Sequence, residues 1–165
     1  MQGLGMKFDL GTCVAPVDLA GGAQTGMRLH LRNYDTVAVV FFKEAGAATE
    51  PTTLTLQEHS LSAAGTSQNL VVVDEYFLKS EATLDNDEVW TRVTQTKAAT
   101  VVPAVSDTQQ ILVFEVESGA LSAGFEWISV NTSDTATAGQ LGGILYLMHG
   151  LKIQRRPDLL AEPLS

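Results

Sequence analysis

The sequence predicts an all-β protein, a sandwich of about nine strands with jelly-roll-like connections. Three observations predict this fold. Apolar residues recur with a period of two rather than 3.6. Short runs rich in β-branched and aromatic residues alternate with turn-forming stretches, at a spacing of roughly 10 to 20 residues. No segment shows the pattern of an amphipathic helix, and the 17 Thr and 14 Gly both disfavour helix interiors.

The individual strands are predicted from two kinds of pattern. Apolar and polar residues alternate in the first kind, which is typical of strands with one buried face; it occurs at residues 27–32, 53–56 and 89–93. In the first of these, Arg28, His30 and Arg32 form a basic row opposite an apolar one. The second kind is apolar at successive positions and predicts strands buried on both faces; it occurs at residues 37–42, 70–73, 111–114 and 144–148.

The chain is predicted to form one domain, residues 1–153, because 165 residues can bury a core without disulfides. Residues 1–6 form an uncharged N-terminal arm. Residues 154–165 form a C-terminal tail, because Pro157 cannot donate a ladder hydrogen bond and should stop the last strand near Ile153. The only local basic cluster, Lys152, Arg155 and Arg156, lies at this junction, and Leu159 and Leu160 follow it.

The composition excludes several classes of protein. The chain has 10 basic and 19 acidic residues, a formal charge of −9, and phosphate binding needs a basic surface, so nucleic acid is not expected as a partner. No apolar stretch approaches the roughly 20 residues of a membrane helix. The first ten residues lack the basic-then-apolar order of a signal peptide.

No catalytic or cofactor site is predicted. The three histidines, His30, His59 and His149, show no zinc-ligand spacing. An enzyme on this fold would need His30 or His149 to meet carboxylates in a cleft. Cys13 is expected to be a buried small hydrophobe, because a nucleophilic thiol needs a histidine partner and the sequence does not show that His30 approaches it.

The acidic residues are also expected to be structural. Asp85 and Asp87 lie in the densest acidic stretch, whose oxygens suit a hard cation such as Ca²⁺. The stretch lacks the Gly and the final Glu of an EF-hand loop, and the expected explanation is a hairpin turn between Phe77 and Trp90. Whether it binds a cation stays open. Glu115 and Glu117 share one face of a predicted strand and are expected to point to solvent.

A resemblance to a known group of proteins rests on structural motifs. The segment Val39-Val40-Phe41-Phe42-Lys43-Glu44-Ala45-Gly46, followed by residues 51–58, resembles small structural proteins of tailed bacteriophages, namely head decoration (cement) or minor capsid proteins. Residues 33–35, 90–95 and 140–146 support the resemblance, which spans roughly residues 6–157. These motifs contain no catalytic residue.

The resemblance implies a non-enzymatic virion protein without cofactor, most simply a capsid decoration protein that binds the outer surface of a phage head and stabilises it. It implies the major capsid protein and other copies of the chain as partners, with a homotrimer as the assembly. It implies a place in the virion after synthesis in the bacterial cytoplasm. The alternative is a binding module at the virion surface or tail that recognises a host glycan or protein.

The contacts to other subunits or to the capsid are expected at charged or apolar residues outside the core. The basic row of the first alternating strand is expected to meet carboxylates, within the subunit or across a boundary. The tail is expected to dock on an adjacent subunit or on the capsid shell, through leucines and salt-sensitive charges. The candidate contact residues are Arg28, Arg32, Lys152, Arg155, Arg156, Leu159 and Leu160.

Overall fold

A computed structural model describes residues 7–46, 50–103, 107–135 and 139–152, and it confirms the all-β class. These residues form more strands than the nine expected, together with two single-turn 3-10 segments, Leu19–Gly21 and Ser118–Ala120. No helix in the described ranges is both long and apolar enough to cross a membrane. The strands are Phe8–Asp18 (β1), Leu29–His30 (β2), Tyr34–Lys43 (β3), Leu54–His59 (β4), Ser67–Asn69 (β5), Val73–Glu81 (β6), Thr91–Ala98 (β7), Thr100–Val101 (β8), Gln109–Glu117 (β9), Trp127–Thr132 (β10) and Leu141–Leu151 (β11).

The strands form two antiparallel sheets with jelly-roll connections. The larger sheet has the order β1-β11-β3-β9-β6-β7, and the smaller has the order β2-β10-β4-β5, with β8 paired to β4. The first and last strands are neighbours, and along the described strands the chain changes sheet at every connection except the β4–β5 and β6–β7 hairpins. The β6–β7 hairpin is an addition that extends the larger sheet beyond β9.

The core lies between the two sheets and is filled by the inward side of each strand. Phe41, Phe114 and Tyr146 from the larger sheet meet Leu56 and Ile128 from the smaller, and all five are almost fully buried. Burying an apolar side chain of this size contributes about 1.5–3 kcal/mol. This burial is what holds the two sheets together.

A close approach near the start of β2 requires a glycine. A Cβ atom on Gly26 would lie 2.2 Å from the carbonyl oxygen of Val130 and 2.6 Å from Sγ of Cys13. The first contact is with backbone, which cannot move aside cheaply, so any larger residue here would push β10 out of place.

The prediction that four runs are buried on both faces is wrong. Phe42 is 54% exposed and Leu145 is 48% exposed, although both lie in such runs. Val71 is 56% exposed, and residues 70–72 precede β6 rather than form a strand. The reason is that the larger sheet packs on the smaller through one face only, and none of the described residues forms a layer on its other face.

The alternating segments are placed as expected only in part. Leu54 and Leu56 are buried, whereas Thr55 is half-buried, as the pattern of β4 predicts. The predicted strand at residues 27–32 shrinks to the two residues of β2, and Met27 is 49% exposed. The last strand ends at Leu151, two residues before the expected limit. The N-terminal arm, residues 1–6, and the C-terminal tail, residues 154–165, lie outside the described residues.

Candidate functional site

The side of the larger sheet that faces away from the core carries an apolar surface, which we call the outer apolar face. Its strongly exposed members are Leu10, Phe42, Phe77, Leu141 and Leu145, between 39% and 59% exposed. Residues that pair directly across antiparallel strands point to the same face. Leu145 pairs with Val40, Val40 with Val113, and Val113 with Phe77, which makes one apolar row across four strands.

Further pairs widen this row into a surface. Leu10 pairs with Leu147 on one side of the row, and Phe42 pairs with Ile111 on the other. A shallow cavity of about 240 Å³ opens beside Phe42 and Leu145, and Val14 and Pro16 complete its wall. The outer apolar face is therefore continuous from β1 to β6 and has a recess in it.

Gly143 leaves the space of the recess open because it has no side chain. It pairs with Phe42, and a Cβ atom there would lie 3.0 Å from the carbonyl oxygen of Val14. The irregular pairing of β1 with β11 between Thr12 and Val17 brings this backbone close. A side chain at this position would fill the floor of the recess and displace β1.

Charged side chains border the outer apolar face. His149 lies 3.7 Å from a carboxylate oxygen of Glu115. Arg92 forms an ion pair with Glu75, and Nζ of Lys79 lies 5.2 Å from the centre of the Trp90 ring. An apolar centre with a charged rim is the usual composition of a protein–protein interface.

A second feature of the larger sheet is a gap between β6 and β9, which we call the β6–β9 cleft. The two strands pair only from Glu81 opposite Gln109 to Phe77 opposite Val113. Beyond that point they separate around a cavity of about 460 Å³. Among the described residues, its lining includes the four carboxylates Asp74, Glu75, Glu115 and Glu117, with Lys97 as the one cation.

His30 meets a carboxylate, and both nitrogens of its ring have a hydrogen-bond partner. Nε2 lies 3.1 Å from Glu126, and Nδ1 accepts a hydrogen bond from the backbone N–H of Arg32 at 3.0 Å. The ring also stacks edge-on against Trp127, with 4.5 Å between the ring centres. Among the described residues no hydroxyl or thiol hydrogen-bonds this ring, and its contacts orient β2.

His59 is buried and links three strands of the smaller sheet. Its Nδ1 lies 2.7 Å from the hydroxyl of Ser67 in β5, and its Nε2 lies 2.8 Å from the hydroxyl of Ser129 in β10. Burial, together with the nearby Arg28 guanidinium, lowers the pKa of His59 to about 4, against the opposing effect of Glu58. The ring therefore stays neutral at ordinary pH and acts as a structural cross-link.

Glu58 is a second buried polar group of the smaller sheet. Its carboxylate accepts hydrogen bonds from Gln68 at 2.6 Å and from the backbone N–H of Ser122 at 2.8 Å. Burial raises the pKa of Glu58, but the hydrogen bonds from Ser122 and Gln68 outweigh it, and the pKa is lowered. Glu58 thus stays ionised and ties β4 to the loop after β9.

The contacts of the basic row at residues 28–32 differ in part from the predicted contacts with carboxylates. His30 meets a carboxylate, as expected. Arg28 instead donates to the carbonyl oxygens of Leu61 and Ala64, at 2.8 and 2.7 Å, and to the hydroxyl of Ser67 at 3.2 Å. These hydrogen bonds to the carbonyl oxygens hold the loop at residues 60–66 against the Arg28 guanidinium. Arg32 is exposed, and its side chain has no hydrogen bond or ion pair within the described ranges.

The remaining candidate residues fall into three groups. Lys152 is exposed at the end of β11, where its backbone N–H donates to the carbonyl of Asn33 at 3.0 Å. Arg155, Arg156, Leu159 and Leu160 lie outside the described residues. Glu115 and Glu117 are exposed, as expected.

Cys13 is 1% exposed, and its Sγ donates to the carbonyl of Val130 at 3.3 Å. Burial raises the pKa of Cys13 to about 11, so the thiol stays protonated. A protonated, buried thiol is a poor nucleophile, which fits the expected structural role.

The acidic stretch forms the turn of the β6–β7 hairpin. Asp87 and Glu88 approach Glu81, with carboxylate oxygens within 4.8 Å of one another. Asp85 is not in this group, although its backbone N–H donates to Glu88 at 2.5 Å. Exposed carboxylates at a turn often lie this close, and we assign no metal to them.

The lysine of the Val39–Gly46 motif has an unexpected position. Lys43 is fully buried at the end of β3, and its Nζ donates to the carbonyl oxygens of Thr108 and Glu44, at 2.9 and 3.1 Å. Burial lowers the pKa of Lys43 to about 8, against the nearby charges of Asp107 and Glu44. This residue joins β3 to the start of β9 inside the sandwich and is not available to a partner.

Sequence reasoning missed the outer apolar face and the β6–β9 cleft. A signal for the first was present, because strands that are apolar at successive positions need a partner on both sides. Nothing in the sequence indicates the second, because it depends on where β6 leaves β9. In comparisons with known proteins, no family model, curated protein or solved structure matches the chain.

Proposed function

We propose that this chain is a non-enzymatic virion structural protein, a capsid decoration protein that attaches to the outer surface of a phage head through its outer apolar face. The observation that carries the proposal is the exposure of Leu10, Phe42, Phe77, Leu141 and Leu145 on one continuous side of one sheet. Monomeric proteins rarely expose contiguous apolar surface of this kind unless it binds something.

The physical gain from covering this face is substantial. Each square ångström of apolar surface removed from water contributes about 25 cal/mol. Phe42 and Leu145 border the recess, so an apolar side chain from the shell could enter it and be surrounded. Such a buried anchor within a polar rim is the arrangement that dominates binding energy at interfaces.

Two further observations support a structural role. The strand order is that of a jelly roll, a fold common in viral capsid proteins, although the fold alone does not define a function. The motifs at residues 39–46 and 51–58 resemble phage decoration proteins. The partners in this proposal are the major capsid protein and other copies of the chain, arranged as a homotrimer.

The test replaces the centre of the outer apolar face. The double variant Phe42→Ser, Leu145→Ser removes two exposed apolar side chains that the monomer does not need for its core, so it should fold normally. We expect its occupancy on phage heads that lack the wild-type protein to fall at least about tenfold, the equivalent of 1.4 kcal/mol.

The matched control is Leu61→Ser. Leu61 is 55% exposed on the loop at residues 60–66, on the other sheet, so its replacement should leave occupancy unchanged. Full occupancy by the double variant, or equal loss by both variants, would contradict attachment through this face.

A second candidate function, a module that binds a host glycan, has its own observation. Phe42, Phe77 and Trp90 are exposed aromatic rings, and aromatic rings are what sugars stack on. Lys79 already covers part of the Trp90 ring. Binding of the soluble protein to a glycan array, lost in Trp90→Ala, would favour this alternative over decoration.

A further inference from the structure

The β6–β9 cleft leaves part of β9 without a neighbour on one side. β9 pairs with β3 along its whole length, as far as Glu117 opposite Thr36. On its other side the pairing with β6 stops at Val113. In the described part of the chain, no other strand pairs with that side of residues 114–117. An unpaired strand edge with free backbone groups is a template for a further strand.

The edge is accessible because β6 turns toward β7. Glu75 and Tyr76 pair with Thr94 and Val93 of β7, and neither pairs with β9. The space left is about 460 Å³, within the roughly 300–1,000 Å³ range of ligand sites. Its lining includes residues from both faces of β9, so the cavity passes beside the strand backbone itself.

The lining of the cleft is acidic. Glu115 and Glu117 are exposed on β9, and Asp74 and Glu75 line the cleft from β6. Three of these carboxylates have a basic side chain nearby, namely Lys97 beside Asp74, Arg92 beside Glu75 and His149 beside Glu115. Glu117 has no ion pair within the described ranges. The occupant that fits is therefore a peptide segment with positive charges.

We propose that the β6–β9 cleft binds the C-terminal segment, residues 153–165, of a second copy of this chain, which lies along the open edge of β9. The segment carries the adjacent pair Arg155 and Arg156, and Leu159 and Leu160 follow; Asp158 and Glu162 balance the arginines, so the formal charge of the whole segment is zero. The arginines match the carboxylates of the lining, and the leucines match its apolar residues Val73, Phe77 and Val113.

The described chain ends at the same end of the larger sheet as the cleft. The backbone N–H of Lys152 donates to Asn33, just before β3, and Thr36 of β3 pairs with Glu117. Lys152 and the mouth of the cleft therefore lie at the same end of the larger sheet. A donor segment and an acceptor cleft at different points of one subunit make a heterologous contact, which closes into a ring when the rotation permits.

This inference rests on the proposed function only for the homotrimer, and it concerns neither the outer apolar face nor the capsid. It is therefore tested on the purified 165-residue chain in solution, without phage heads. A failure here would leave head attachment through the outer apolar face standing, and a failure of head attachment would leave this contact standing.

The first experiment uses charge reversal. We expect Arg155→Glu, Arg156→Glu and, separately, Glu115→Lys, Glu117→Lys each to weaken self-association about tenfold, as two exposed ion pairs can. The four substitutions combined should restore it, because the pairs are rebuilt with opposite sign. Sedimentation over a range of protein concentrations measures this, and thermal unfolding confirms that each variant is folded. Asp87→Lys, in the turn of the β6–β7 hairpin, is the matched control and should have no effect.

The second experiment identifies the donor. A mixture of a Glu117→Cys protein with an Arg156→Cys protein should form a disulfide between chains, while Asp87→Cys with Arg156→Cys should not. Cys13 is too buried to compete. Unchanged association in all charge variants would overturn the proposal. A third protein carries both Glu117→Cys and Arg156→Cys in one chain. If a disulfide forms only within this chain, and none forms between the two single-cysteine proteins, the proposal is also overturned, because the segment then occupies the cleft of its own subunit.

Discussion

His59 shows how a single buried residue links stability to pH. In the folded protein its two ring nitrogens contact the hydroxyls of Ser67 and Ser129, and burial lowers its pKa to about 4. In the unfolded chain a histidine has a pKa of about 6.5. Between these two values the unfolded chain binds a proton that the folded chain does not, so stability falls as the pH falls through this range.

Replacement of His59 should reduce the dependence of stability on pH. Between pH 7 and pH 5 the wild-type free energy of unfolding should drop by about 1–2 kcal/mol more than that of His59→Gln, because each pKa unit corresponds to about 1.4 kcal/mol. Urea unfolding at several pH values measures it. Equal pH dependence of the wild type and His59→Gln would show that His59 is not the titrating group.

At the scale of elements, the loop at residues 60–66 depends on one side chain. Arg28 donates to two carbonyl oxygens of this loop and to Ser67, which in turn contacts His59. The loop closes on itself through hydrogen bonds between Ser60 and Thr66. Arg28 therefore connects the start of β2 to the hairpin of β4 and β5.

Removal of this side chain should loosen the loop. We expect Arg28→Ala to cost about 1–3 kcal/mol, because charge-assisted hydrogen bonds are lost and two carbonyl oxygens lose a donor. Hydrogen exchange at Ser60 and Thr66 should quicken, while exchange in β3 stays slow. The matched control, Arg32→Ala, removes an exposed arginine and should leave both measurements unchanged. Slow exchange at Thr66 in Arg28→Ala would contradict this role.

The elements also show what the sequence could and could not predict. The alternation at residues 53–56 predicted β4 well, because one face packs in the core and the other does not. The runs at residues 37–42 and 144–148 predicted strands correctly but misplaced Phe42 and Leu145. Apolar residues on both sides of a strand indicate two covered faces, yet the pattern cannot tell a covering sheet from a covering partner. The strand predicted at residues 27–32 was too long, because the alternation of apolar and basic residues continues beyond the two residues of β2 that pair with β10.

On the scale of the whole molecule, the sandwich has two different outer surfaces. The smaller sheet turns polar groups outward, and even its buried His59 is satisfied by hydroxyls. The larger sheet turns Leu10, Phe42 and Leu145 outward. The sequence predicted the class of fold because it follows from local periodicity. It could not predict the β6–β9 cleft, because the divergence of two strands far apart in sequence is a property of the assembled sheet.

The claim that this protein attaches through its outer apolar face can be tested by a reconstruction of the phage head with the protein bound. The claim predicts that the larger sheet faces the shell, with Phe42, Leu141 and Leu145 in contact with the major capsid protein and the smaller sheet pointing outward. The smaller sheet against the shell, with the outer apolar face open to solvent, would contradict it. So would the absence of the protein from the head.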